Sequence, residues 1–153
     1  MGRLTTHVLD TVSGIPAQGM RVELHRLDPG PQALVTIDTT ADGRAPTPLL
    51  EGADLRTGNY ELRFHVAAYF RARGARLSDP PFLDVVVIRF GIGDAAQNYH
   101  VPLLASPWAI RPTAAVEHGD GEYPRFRRTR RSALRARRPR RRGVRFAADH
   151  HGA

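Results

Sequence analysis

Tyr60-Glu61-Leu62-Arg63-Phe64-His65-Val66 places an apolar side chain at every second position, with Glu61, Arg63 and His65 between them. Period two is the mark of a strand with one face in a core and the other in water. Outward from it, Met20-Arg21-Val22-Glu23-Leu24-His25 alternates likewise, and Leu34-Val35-Thr36-Ile37-Asp38-Thr39 is rich in β-branched residues. On the polar faces, His25 and His65 are expected to be solvated. Leu83-Asp84-Val85-Val86-Val87-Ile88-Arg89-Phe90 is apolar on both faces, which predicts a strand covered by the core on one side and by another subunit on the other. Tyr99-His100-Val101-Pro102-Leu103-Leu104 reads as a shorter strand whose proline predicts an edge or a strand end.

Turn signals separate these runs: Ser13-Gly14-Ile15-Pro16, Asp28-Pro29-Gly30-Pro31, Asp42-Gly43, Thr57-Gly58-Asn59 and Ser78-Asp79-Pro80-Pro81. Ala67-Ala68-Tyr69-Phe70-Arg71-Ala72-Arg73, stopped by Gly74, predicts the one short helix. The pattern is that of an all-β sandwich or barrel.

At 153 residues the chain suits one domain, and 41% hydrophobic residues are too many for disorder throughout. The absence of cysteine excludes disulfides, thiolate zinc sites and a cysteine nucleophile. The first residues lack the run of about 7–15 apolar residues that a secretory signal needs, and no stretch approaches the ~20 of a membrane span. These features predict a cytoplasmic protein without a membrane partner. Charge is unevenly spread. Residues 1–110 carry ten Arg against eleven acidic residues, whereas residues 111–153 carry thirteen Arg against four. The net charge of +8 therefore comes from the tail. Such a segment binds nucleic acid only non-specifically, through phosphate neutralisation. Its run Arg137-Arg138-Pro139-Arg140-Arg141-Arg142 is too charged to pack a core, so disorder is expected. All 23 basic residues are Arg, as a G+C-rich gene would encode.

Three residues stand out as candidates, each weak alone: His7 on the first strand, Arg44 after the Asp42-Gly43 turn, and His100 in a mostly apolar strand. Seven His invite a zinc reading, but no ligand spacing supports one. Trp108 and Tyr69 read as packing residues.

Five ordered blocks change the weight of these signals. Thr6-His7-Val8-Leu9-Asp10 with Gly14-Ile15-Pro16-Ala17, Thr39-Thr40-Ala41-Asp42-Gly43-Arg44, Tyr69-Phe70 before Pro81-Phe82, Val87-Ile88-Arg89-Phe90, and Tyr99-His100-Val101-Pro102-Leu103-Leu104-Ala105-Ser106-Pro107 are together similar to the 5-hydroxyisourate hydrolases, the enzymatic relatives of transthyretin. The resemblance covers residues 1–109 and sets apart a basic tail over 110–153. It implies a two-sheet antiparallel β-sandwich with one short helix, assembled as a homotetramer with active sites at a subunit interface. It implies catalysis by His7, Arg44 and His100, substrate binding by His7 and Arg44, and no metal or cofactor. The hormone-carrier branch of the fold lacks this polar set, so a non-enzymatic small-ligand carrier is the second reading.

One departure from the family is plain. Its members end shortly after the last strand in Ser-Thr-Tyr-Arg-Gly-Ser, whose side chains reach into the active site, but here the chain reads Ile110-Arg111-Pro112-Thr113-Ala114-Ala115-Val116-Glu117-His118. The string ATT CGA CCT ACC GCG GCA GTT GAG CAT encodes those residues. Two bases later it reads TCG ACC TAC CGC GGC AGT TGA, which is Ser-Thr-Tyr-Arg-Gly-Ser-stop. The expectation is that a single-base loss near codon 110 shifted the frame, making residues 110–153 out-of-frame translation. Sequencing the gene around codon 110 tests this: the Tyr-Arg-Gly-Ser-stop string is expected in another frame, and its absence from every frame refutes the account.

Overall fold

The computed structural model describes residues 1–113 and the backbone of Ala115–Glu117, all within the unit Met1–Tyr123. Twelve strands and one helix follow in order: β1 (Arg3–Thr5), β2 (Val8–Asp10), β3 (Ile15–Pro16), β4 (Arg21–Arg26), β5 (Gln32–Asp38), β6 (Leu50–Glu51), β7 (Gly58–His65), α1 (Val66–Ala72), β8 (Val85–Ile92), β9 (Asn98–His100), β10 (Leu103–Ala105), β11 (Ile110–Pro112) and β12 (Ala115–Glu117).

The alternating run at 60–66 lies at the centre of the first layer, a sheet ordered β5-β4-β7-β8 with every neighbour antiparallel. Its register sets like against like on the core side. Tyr60 faces Phe90, Leu62 faces Ile88, and Phe64 faces Val86 on β8 and Val22 on β4. The second layer consists of two successive four-stranded stretches, β12-β9-β1-β6 and β11-β10-β2-β3. One buried cluster joins the layers, with Leu4, Val8, Leu103 and Ala105 from the second packed with Val22, Leu24, Tyr60, Leu62 and Phe64 from the first. Each such side chain contributes about 1.5–3 kcal/mol by leaving water, whereas exposed ion pairs contribute about 0–1 kcal/mol. Packing between layers therefore dominates stability.

The helix closes one end of this core. It begins directly from β7, burying Val66, Ala67, Tyr69 and Phe70. Gly74, at φ +80°, ends it by donating its N–H to the Arg71 carbonyl at 2.9 Å.

The second layer is not wholly antiparallel. β1 pairs with β9, and β2 with β10, in parallel, so the chain must traverse the entire first layer before returning beside its own N-terminus. This pairing also corrects the expected edge position of residues 99–104. β9 lies between β1 and β12, and β10 between β2 and β11. Pro102 is tolerated there because it falls in the break between β9 and β10. Chain past residue 109 also takes part, since β11 pairs with β10 and β12 with β9. Residue 114 and everything after Glu117 lie outside the described residues.

The outer face of the first layer is less wet than alternation predicts. Glu61, only 2% exposed, accepts hydrogen bonds from Arg63 Nε at 2.6 Å and Arg89 Nε at 2.8 Å. His25 and His65, expected to be solvated, both bind Glu23, at 3.0 and 2.8 Å through Nε2. Since a carboxylate can only accept, both rings carry their proton on Nε2. Glu23, Glu61, Arg63, His65 and Arg89, with the exposed Val85 and Val87, line a concavity of about 820 Å³. Among the described residues, nothing supplies the second covering expected for the apolar strand.

Hydrogen bonds from Arg89 and Arg63 hold the Glu61 carboxyl below the ordinary carboxylate range. A depressed folded pKa adds stability above the unfolded value of about 4.3 and loses it as pH falls through the folded value. Glu61→Gln is expected to cost about 1–3 kcal/mol at neutral pH. Urea unfolding across the acid range should show the wild type losing its advantage over the variant below about pH 4. A pH-independent gap between the two overturns the assignment.

Candidate active site

The first strand alternates across the second layer. Leu4, Thr6, Val8 and Asp10 are buried inward, while Thr5, His7 and Leu9 stand half-buried on the outward face. Residues 99–105, which hold β9 and β10, do the same in phase, burying Tyr99, Val101, Leu103 and Ala105 and turning His100, Pro102 and Leu104 outward. Parallel register sets Thr5 beside His100 and Val8 beside Leu103. Hydrogen bonds from Val101 N to Thr5 O at 3.0 Å and from Leu103 N to His7 O at 2.9 Å carry the pairing across the interruption at residues 6–7. The Thr6 hydroxyl, donating to Val101 O at 2.8 Å, secures it from the core side.

Arg44 reaches the same face through its turn. The Thr40 N–H donates to Arg44 O at 2.8 Å and Gly43 N–H to Thr40 O at 2.8 Å, closing a tight loop. Gly43 adopts φ +75° with its Cα pressed against the Val8 carbonyl, where any Cβ would collide. Its own carbonyl accepts from Val8 N at 2.8 Å. The outcome is an antiparallel bridge between His7 and Arg44, and residues so opposed carry their side chains on one face with Cβ atoms about 4.5–5.5 Å apart.

The structure thus brings His7 and Arg44 directly together, with His100 on the strand next to Thr5. His7 Nε2 is buried and has no hydrogen-bond partner among the described residues. His100 Nδ1 lies 2.9 Å from the Thr5 hydroxyl. The Arg44 guanidinium meets Asp42 only at 3.8 Å, both side chains more than half exposed, so it keeps most of its donor capacity. The hydrogen bond from Thr40, followed by that from the Arg44 N–H, lowers the Asp42 carboxyl below its usual range, leaving it ionised beside the guanidinium.

Asp10, the last residue of the first motif, has a structural task that sequence reading did not identify. Its carboxylate accepts from Val12 N at 2.9 Å, Ser13 N at 3.1 Å, the Ser13 hydroxyl at 2.9 Å and the Tyr69 hydroxyl at 3.3 Å. Burial pushes its pKa up, but the hydrogen bonds from Ser13, Val12 and Tyr69 prevail and hold it below the ordinary value. Tyr69 is correspondingly raised, by burial and by the Asp10 charge. Trp108, expected to pack, is 63% exposed. It lies in a tight turn in which Ser106 and Ala109 bond each other. Among the described residues, no group of three or more His, Asp or Glu side chains is arranged to hold a metal ion.

The HIUase/Transthyretin family model matches residues 4–111. The 5-hydroxyisourate hydrolase 2 of Rhizobium meliloti (strain 1021) is 55% identical over 108 residues, which are 70% of this chain and 90% of that protein. The 5-hydroxyisourate hydrolase of Mus musculus is 45% identical over 109 residues, 69% of this chain and 88% of its own. Among solved structures, Klebsiella pneumoniae 5-hydroxyisourate hydrolase superposes with a TM-score of 0.63 at 30% identity, covering 75% of this chain and 99% of that one. Sea bream transthyretin in complex with thyroxine gives 0.68 at 27%, covering 75% and 96%. An (S)-allantoin synthase gives 0.71 at 42%, covering 74% of this chain and spanning 43% of that one.

The Gly43 contact yields a direct test. Gly43→Ala is expected to lose about 1–3 kcal/mol through its left-handed backbone alone, and more through the Val8 carbonyl. An unchanged urea midpoint would show that the turn does not depend on glycine.

Proposed function

This chain belongs to the HIUase/Transthyretin family, and on that premise we propose that it hydrolyses 5-hydroxyisourate to 2-oxo-4-hydroxy-4-carboxy-5-ureidoimidazoline, a step in urate degradation, at a site formed by His7, Arg44 and His100. The observation that supports the site is the His7–Arg44 backbone bridge, because residues so opposed project from one face, the face on which His100 also stands. Relatives named 5-hydroxyisourate hydrolase at 45–55% identity support the reaction.

Hydrolysis of a ring acyl–nitrogen bond needs three things: a proton taken from water as its oxygen bonds to the acyl carbon, charge stabilisation on the acyl oxygen, and a proton for the nitrogen that leaves. Imidazoles titrate near neutrality and serve both proton tasks. Arg44, permanently charged and planar, holds the substrate's carbonyl edge and offsets the developing oxyanion. Two imidazoles and a guanidinium can between them meet all three needs by general acid–base and electrostatic catalysis. The reading also takes the protein to be a homotetramer with the site at a subunit interface. Half-buried Leu9 and Leu104, flanking the site on the outward face, suit a contact with a second subunit. The carrier reading is not favoured, because identity to the thyroxine-bound transthyretin is 27% against 55% to a hydrolase.

Decay of freshly generated 5-hydroxyisourate, followed spectroscopically, should be accelerated by the wild type. His100→Ala should slow it by about 10²- to 10⁴-fold with an unchanged unfolding midpoint. Full activity in that variant removes His100 from the mechanism.

A further inference from the structure

The two imidazoles of the site are held differently, and the difference distributes their work. Thr5 Oγ1 is 2.9 Å from His100 Nδ1 and 3.4 Å from the Tyr99 carbonyl oxygen. A hydroxyl has a single proton, and a carbonyl can only accept. Given to Tyr99 O, that proton leaves a lone pair turned toward His100, whose Nδ1 then carries a hydrogen. The neutral ring is then the Nδ1–H tautomer, with its basic lone pair at Nε2. The alternative, in which Thr5 donates to Nδ1, would block the one basic nitrogen that the ring would then have. A Thr5 that accepts serves both the neutral ring and the imidazolium, so the contact survives each proton transfer at Nε2.

The backbone favours this contact. Thr5 and His100 are register partners in the parallel pair β1–β9, and both stand on the outward face. Hydrogen bonds at Val101 N to Thr5 O and from the Thr6 hydroxyl to Val101 O lock the two strands immediately beside them. His7 has no such partner for Nε2. A buried nitrogen of that kind gains most when a bound substrate or water supplies its hydrogen bond.

We propose that Thr5 is a positioning residue that fixes His100 as the Nδ1–H tautomer, so that His100 Nε2 is the general base and His7 Nε2 orients the water or substrate. The assignment rests on the hydrolase reading above. In the reaction, the water oxygen bonds to the acyl carbon while its proton passes to His100 Nε2. The ring carbon–nitrogen bond then breaks with its electron pair on nitrogen, and the same proton passes from Nε2 to that nitrogen.

The test uses full-length wild type, Thr5→Val and Thr5→Ser. Long-range ¹H–¹⁵N correlation of the histidine rings in wild type should show His100 as Nδ1–H. Thr5→Val should shift His100 toward the other tautomer and lower kcat by at least about tenfold, less than loss of the base itself, with KM within about twofold. Thr5→Ser, which keeps the hydroxyl, should restore both signals. An Nε2–H tautomer in the wild type, or a valine variant unchanged in tautomer and kcat, overturns the proposal. Should wild type show no hydrolysis, the hydrolase reading fails, while the wild-type tautomer still decides the role of Thr5. That measurement also stands if the valine variant does not fold.

Discussion

Everything in the second layer hangs on one parallel pairing, residues 4–10 against 99–105. Parallel neighbours cannot be joined by a short turn, so about ninety residues intervene, and they build the whole first layer on the way. The pairing also sets both strands in the same phase. Thr6 and Val101 face the core while His7 and His100 face outward, and a slip of one residue would turn the histidines inward and the core outward together. Fold and site therefore share one register.

The site adds a second, local constraint to that long-range one. Gly43 sits so close to the Val8 carbonyl that only hydrogen fits where a side chain would be, and this proximity draws the Arg44 turn onto the first strand. The exposed guanidinium is thus located by backbone contacts, while its own side chain is bound only loosely to Asp42. A positively charged group held by its backbone and weakly held at its tip suits substrate capture, because little must be broken when an anionic or carbonyl-rich ligand arrives.

Much of this was legible from the amino-acid order and some was not. The alternation at 60–66 reads correctly as the central strand, and Ala67–Arg73 before Gly74 differs from the observed Val66–Ala72 by one residue at each end. Period two tells which face a side chain takes but not what stands on the neighbouring strand. Glu61, with Arg89 opposite it on β8, and His25 and His65, either side of Glu23, are accordingly misread as wet. Pro102 marks a strand end, one of the two positions it suggested, whereas the edge does not hold because β9 and β10 each have two neighbours. His7, Arg44 and His100 were singled out by resemblance to a family. That the backbones of His7 and Arg44 pair follows from the glycine turn, and the contact of Thr5 lay hidden because only parallel pairing brings it to His100. The strands at 110–112 and 115–117 have a backbone explanation: main-chain hydrogen bonding at the open side of β9 and β10 does not read side chains.

β8 is an outer strand of its sheet, eight residues long, with Val85 and Val87 exposed, and no strand among the described residues pairs with its outer edge. Such a strand is a template for adhesion to other chains. The guanidinium of Arg89, pinned to Glu61 across the sheet, keeps a permanent positive charge within two residues of that apolar pair. A charge beside an apolar strand edge is the kind of residue that disfavours adhesion of that edge to other chains.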